Sequence, residues 1–190
     1  MKVLAINASP RIKGNTDLLI GKVLEGAISK GAEVEKIVLN ELKFLPCQEC
    51  SKMADDGLCL VKDDMQDVYT KIKQADAIVL GSPIFFGSLS AQAKMMIDRF
   101  QCAWRAKYIL KKDNGHKKIT GAFICVEASS RKDFLGNARS IVRNFFAVIN
   151  AGYKYELFCQ GIEGKGDILK HAVYLKKAFD LGRAIVSKTT

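Results

Sequence analysis

No apolar run in the sequence approaches the roughly 20 residues that span a bilayer, which excludes a transmembrane helix. The opening, Met1-Lys2 followed at once by a strand-like run, lacks the long apolar segment and small-residue cleavage site of a secretory leader, so the expected location is cytoplasmic. Histidine is scarce: His116 lies in a lysine-rich turn, His171 lies on the last helical stretch, and neither has a partner suggesting nucleophilic or metal chemistry. No Gly-Lys-Ser/Thr closes a Walker A loop and the glycines of GxGxxG are missing, which removes two nucleotide-binding classes. Repeats, linkers and low-complexity segments are also lacking, so the 190 residues are expected to form one domain over 1–190. Acidic residues are outnumbered 20 to 30 by lysine and arginine, a formal charge of +10. No recognised nucleic-acid module accompanies that excess, and most lysines scatter over helix faces; a phosphorylated cofactor is the expected anion, with no nucleic acid and no membrane as partner.

What is present begins with Val3-Leu4-Ala5-Ile6-Asn7-Ala8-Ser9-Pro10-Arg11-Ile12-Lys13-Gly14-Asn15-Thr16. It reads as a strand, an anion-sized turn and the start of a helix from about Asn15 to Lys30. The first helical turn leaves N–H groups without intrahelical partners at the positive end of the dipole, a natural place for a phosphate. Ser9, Asn15 and Thr16 add neutral donors and Arg11 a full charge. The alternative is turn and cap chemistry alone.

Further along, Val34 to Leu39 predicts a second strand, and Asp63 predicts a helix cap with Gln66 in the capping-box position. The run Ala77 to Leu80 predicts a strand buried on both faces. A loop from Gly81 to Ser88 and a helix from about Ser90 to Trp104 follow, then a turn at Asn114-Gly115. Ile119 to Val126 and Tyr153 to Cys159 predict the last two strands. Phe134 to Ile149 traces one helix face, and Asp167 is expected to cap a last helix burying Ile168, Ala172, Leu175, Phe179 and Val186. Five strands alternating with five helices predict an α/β fold, an open parallel sheet covered on both faces. Ligands of such sheets sit beyond the carboxyl ends of the strands where strand order reverses. There the loops Ser9 to Thr16, Ser82 to Ser88 and Glu127 to Arg131 should meet. Glycines flanking Pro83-Ile84-Phe85-Phe86 allow close approach to a flat aromatic ligand, or else the phenylalanines pack under the next helix.

The pairing of Asn7 to Thr16 with Gly81 to Ser88 resembles the NAD(P)H-dependent FMN reductases of the flavodoxin-like superfamily. Pro46-Cys47-Gln48-Glu49-Cys50, Cys59, Asp63-Asp64-Met65 and Lys94 to Arg99 resemble the branch containing the iron-sulfur flavoproteins. The resemblance implies a flavodoxin-like three-layer fold with a five-stranded parallel sheet in the order 2-1-3-4-5. It implies FMN as cofactor and NAD(P)H as co-substrate. By motif position Ser9, Arg11, Asn15 and Thr16 would hold the FMN phosphate, with Arg11 alternatively facing a nicotinamide phosphate. Pro83, Ile84, Phe85, Phe86 and Gly87 would surround the ring system, and Glu127 to Ser130, Glu127 and Ser129 among them, would approach from the third loop. A homodimer or homotetramer is implied as well.

The flavin carries the chemistry in such proteins, so no side chain is nominated as catalytic. The implied activity passes electrons from a nicotinamide to a small acceptor: a quinone, flavin, nitro or azo compound, or metal ion. The rivals are an iron-sulfur flavoprotein and a flavodoxin-type carrier. Cys47, Cys50 and Cys59 fit three places of the four-cysteine iron-sulfur motif, while Met53 stands in the third place, where a thioether is a poor substitute for thiolate. No histidine lies near to complete a zinc site, and no metal ligand is assigned. The loop cysteines read as packed side chains, a redox thiol pair, or ligands of a metal or cluster. Cys102, Cys125 and Cys159 sit in apolar runs and are expected in the core; the alternative for Cys102 is to complete the set of loop cysteines, which requires the fold to bring it near.

Overall fold

A computed structural model describes residues 1–50, 57–112, 117–129 and 131–187. Met53, the Asn114-Gly115 turn, His116 and Ser130 lie outside the described residues. Strand β1 (Lys2–Asn7) leads into helix α1 (Asn15–Ile28), β2 (Glu33–Val38) and α2 (Met65–Gln74). Then come β3 (Ala77–Phe85), the short β4 (Ser88–Leu89), α3 (Ala91–Asp98) and α4 (Gln101–Trp104), which runs into a π-helical turn at Arg105–Ile109. The chain closes with β5 (Ile119–Val126), α5 (Lys132–Val148), β6 (Ala151–Cys159), a 3-10 turn at Asp167–Lys170 and α6 (Ala172–Ser187).

The long strands pair in parallel in the order β2-β1-β3-β5-β6, which is the expected 2-1-3-4-5 arrangement. The sixth strand, β4, was not expected. It pairs antiparallel with the end of β3, with Ile84 opposite Leu89 and Phe85 opposite Ser88. The period of two along β1 decides which layer each residue enters. Leu4 and Ile6 join Ile78, Leu80 and Phe123 beneath α2, α3 and α5, while Val3 and Ala5 join Val79, Ala122 and Ile124 beneath α1 and α6.

Four local expectations are corrected. The segment from Gly81 is not a loop: Gly81, Ser82 and Pro83 stand in register with Ile124, Cys125 and Val126, so β3 continues to Phe85 and only Phe86-Gly87 turns. Both turn residues have positive φ, 50° and 74°, the backbone that a two-residue hairpin requires. The predicted helix from Ser90 to Trp104 breaks at Arg99 and Phe100, where Arg99 is drawn into the interior. Asp63 precedes the α2 cap position, Asp64, and its carboxylate accepts from the Met65 and Leu45 N–H groups. Asp167 caps no long helix; its carboxylate accepts from the Gly164 N–H, and α6 fully buries Ala178, Leu181, Gly182 and Ile185, while of the predicted residues Ile168 is buried in the preceding 3-10 turn, Leu175, Phe179 and Val186 are partly buried and Ala172 is exposed.

Helices α1 and α6 approach closely because glycines face backbone. A Cβ on Gly26 would stand 2.0 Å from the Phe179 carbonyl oxygen, and one on Gly182 would stand 1.9 Å from that of Val23.

Candidate functional site

Where the parallel strands end, the first loop is built on Asn7, whose side-chain oxygen accepts from the Ser9 N–H at 3.0 Å. Ser9 Oγ in turn accepts from the Arg11 N–H at 3.1 Å, an ST-turn that bends the chain back. Gly14 occupies the α1 N-cap and provides no side-chain cap. Leu18 is bonded back to Gly14, so the first-turn N–H groups before it lie outside the helical ladder. Gly14 also has to be small, since a Cβ there would sit 2.9 Å from the Arg11 carbonyl oxygen.

The second loop is fastened to the first by a buried hydroxyl relay. Ser90 Oγ donates to the Ala8 carbonyl at 2.6 Å, the Ser90 N–H donates to Ser82 Oγ, and the Ala8 N–H donates to the Gly81 carbonyl. Ser90 Oγ also caps α3 by accepting from the Ala93 N–H, so one side chain sets both the loop contact and the next helix.

Together these loops and the end of β5 enclose a cavity of ≈ 230 Å³. Ser9, Arg11, Asn15 and Thr16 line one end of it, Pro83, Ile84 and Phe85 form a wall, and Glu127 faces them from β5. Three expected residues stand elsewhere. Phe86 is fully exposed at the hairpin tip, Gly87 packs its backbone against the Phe134 ring, and Ser129 Oγ accepts from the Arg131 N–H. None of these three lines the cavity.

Ile162 and Glu163, after β6, make a fourth wall that sequence reasoning missed, and Gly164 next to them bonds to the first loop. Arg11 Nη1 donates to the Glu163 carbonyl at 2.9 Å. Asn15 Nδ2 donates to the Gly164 carbonyl at 2.8 Å, and its Oδ1 accepts from the Ile168 N–H at 3.2 Å. The Asn15 carboxamide therefore ties the two loops together. The signal was available in Gly161-Ile162-Glu163-Gly164-Lys165-Gly166, a glycine-rich turn following the last strand at the same edge of the sheet.

Glu127 is 3% exposed. Its Oε1 accepts from Gln160 Nε2 at 2.9 Å, and its Oε2 is buried with no hydrogen-bond partner. A buried carboxylate oxygen lining a cavity is an acceptor for a ligand hydroxyl or N–H. An uncapped helix start beside Arg11, an apolar wall and an acceptor opposite are what a ligand with an anionic tail, a polar middle and a flat ring requires.

The cysteines divide. Burial pushes the Cys125 thiol up, and the Cys159 thiol up to about 12, so both are protonated packing residues. Cys102 is not the core residue expected. It is half-buried and shares a second, small cavity with Cys47, Cys50 and Cys59.

Comparison with known proteins accords with this geometry. An iron-sulfur flavoprotein of Methanocaldococcus jannaschii is 43% identical over 99 residues, 52% of this chain and 51% of that protein. An iron-sulfur flavoprotein of Methanosarcina thermophila is 33% identical over 115 residues, 60% of each. The chain thus spans between half and three fifths of the length of these curated relatives. Among solved structures, an NAD(P)H:quinone oxidoreductase from Methanothermobacter marburgensis superposes with a TM-score of 0.68 at 18% identity, covering 100% of this chain and 99% of that one. That likeness supports the flavodoxin-like fold. The sequence profile of NADPH-dependent FMN reductases matches residues 1–153, and the chain belongs to that family.

Proposed function

We propose that the chain is an NAD(P)H oxidoreductase that holds FMN in the cavity between Ser9 and Glu127 and passes electrons to a small acceptor. The observation that carries this reading is the pairing of an uncapped α1 start at Gly14 with the Pro83-Ile84-Phe85 wall in one cavity. Ser9, Arg11, Thr16 and the free N–H groups of the first helical turn receive the phosphate. Asn15 holds the loop in shape by its bonds to Gly164 and Ile168. Pro83, Ile84 and Phe85 give the ring system an apolar face, and Glu127 Oε2 accepts from a donor on the polar side of the ligand. When bound, FMN supplies the two-electron acceptor and donor for nicotinamide and substrate. Phe86 presents an exposed ring at the hairpin tip that ends β3, where a second planar molecule has access. Acceptors of that shape are quinones, free flavins, and nitro or azo compounds; a metal ion is a further candidate.

A homodimer or homotetramer fits the broad groove of ≈ 720 Å³ lined by Ile97, Phe100, Trp104, Tyr108, Ile141 and Phe145. Among the described residues, no helix is long and apolar enough to cross a membrane.

The test is spectroscopic. Apoprotein titrated with FMN is expected to quench its fluorescence at one equivalent, and NADPH added without oxygen is expected to bleach the flavin bands. Failure to bind FMN overturns the cofactor assignment. Binding without bleaching by either NADPH or NADH overturns the enzymatic one and favours a carrier.

A further inference from the structure

The carboxyl of Glu127 is satisfied on one side only, and its surroundings fix which side. Glu127 follows the last residue of β5 and is stitched to the segment after β6. Its N–H donates to the Cys159 carbonyl at 2.9 Å, and its carbonyl accepts from the Ile162 N–H at 3.0 Å. Gln160, between those two partners, donates from Nε2 to Oε1 at 2.9 Å. Backbone and side chain are thus held by the same short segment. With Oε1 taken, the direction of Oε2 is set, and that oxygen has no hydrogen-bond partner although the residue is only 3% exposed. A buried polar atom in this state is destabilising, and a ligand that supplies the missing partner recovers the loss on binding.

Two links place Glu127 along the cavity. Val126, its predecessor, stands opposite Pro83, where the apolar wall begins. Ile162, bonded to the Glu127 carbonyl, is followed by Glu163, whose own carbonyl accepts from Arg11 Nη1 at the anion end. Glu127 therefore stands between the wall that faces a ring system and the end that receives a phosphate. The part of a ligand that spans this interval is the linker joining phosphate to ring. A hydroxyl on that linker matches a carboxyl oxygen because it both donates and accepts, whereas a plain methylene chain would leave Oε2 buried and unpartnered. Asn15, by contrast, already uses its carboxamide nitrogen and oxygen on Gly164 and Ile168.

On the reading that FMN occupies this cavity, we propose that Glu127 is the specificity residue for the hydroxylated linker of the ligand, with Gln160 as the positioning residue that aims its free oxygen. The ribityl chain of FMN is such a linker. Discrimination arises because a ligand without chain hydroxyls seals Oε2 further from water and gives nothing in return, while a hydroxylated one completes its hydrogen bonding.

Wild-type apoprotein and its variants are titrated, by quenching of flavin fluorescence, with FMN and with a flavin phosphate whose chain hydroxyls are replaced by hydrogen. Wild type is expected to bind FMN at least about tenfold more tightly than the analogue. Glu127→Leu removes the oxygen at similar bulk and should lower this preference about tenfold, by weakening FMN and not the analogue. Gln160→Leu should lower it about threefold, and serves where E127L fails to fold. Arg11→Ala acts on the phosphate that both ligands carry and should leave the preference unchanged. Absence of a preference in wild type, or an undiminished preference in folded E127L, overturns the role of Glu127 while FMN remains the cofactor. A preference intact in folded Q160L overturns the positioning role of Gln160. Failure of wild type to bind FMN at all overturns the cofactor assignment and this role together.

Discussion

Arg99 and Asp63, 36 positions apart, meet as a two-point ion pair, with Nη1 2.6 Å from Oδ2 and Nη2 3.1 Å from Oδ1. Arg99 is only 1% exposed, so its charge depends on this carboxylate. Burial pushes the Asp63 carboxyl upward, but Arg99 and the Leu45 and Met65 N–H groups outweigh it and hold it below the usual carboxylate value. Asp63→Asn is expected to cost about 3 kcal/mol at neutral pH, read by urea unfolding, because the guanidinium is left buried and unpaired.

The same pair sets an acid dependence. A carboxylate whose folded pKa is depressed contributes stability that is complete above its unfolded value, about 3.9, and is lost as pH falls through the folded value. Wild-type stability should therefore decline below about pH 4 more steeply than that of Asp63→Asn. Equal slopes in the two proteins would show that the pair contributes nothing to acid unfolding.

Gly182→Ala would force a Cβ to within 1.9 Å of the Val23 carbonyl oxygen, a backbone atom that cannot step aside. The expected loss is about 3 kcal/mol or failure to fold, because α1 and α6 must separate. Gly21→Ala, in α1 with nothing within 4 Å of the new Cβ, should instead gain about 0.5 to 1 kcal/mol. Thermal melts of the two variants decide it.

Arg11→Ala removes the guanidinium that lines the anion end of the cavity and its bond to the Glu163 carbonyl. FMN should bind about tenfold more weakly, the scale of one charge-assisted contact. Riboflavin, which lacks the phosphate, should bind as before. Equal losses for the two ligands would assign Arg11 to the loop's shape instead.

Phe86 occupies positive φ that phenylalanine disfavours, and its ring is wholly exposed. Asparagine tolerates that backbone, so Phe86→Asn should stabilise the protein by about 0.5 kcal/mol. Quinone-dependent NADPH oxidation should fall at the same time, since the aromatic contact surface is gone. Unchanged kcat/KM would leave the exposed ring without a part in turnover.

The parallel sheet was legible because Val3 to Ile6, Ala77 to Leu80 and Ile119 to Val126 are apolar runs separated by helix-period segments. The meeting of Ser9 to Thr16 with Pro83 to Phe85 and Glu127 followed from the switch-point rule. What escaped was non-local. Pro83 read as a loop residue because its pairing with Val126 depends on a distant strand. The helix break at Arg99 is coupled to Asp63, invisible in local periodicity, and Cys102 looked apolar because its neighbours are. The Ile162 and Glu163 wall was missed because its residues are ordinary turn residues, and Glu163 and the adjacent Gly164 meet the first loop through backbone carbonyls.

Asn15 reaches across 149 positions to the Gly164 carbonyl, and 153 to the Ile168 N–H. Closing so long a loop carries an entropic penalty that only the assembled sheet offsets. Strand β1 and helix α1 are local structures able to form early, but the shape of the turn between them waits for the far end of the fold. Anion binding at this turn thus ripens late in folding, and a ligand added during refolding would report completion of the whole topology rather than formation of the segment that touches it.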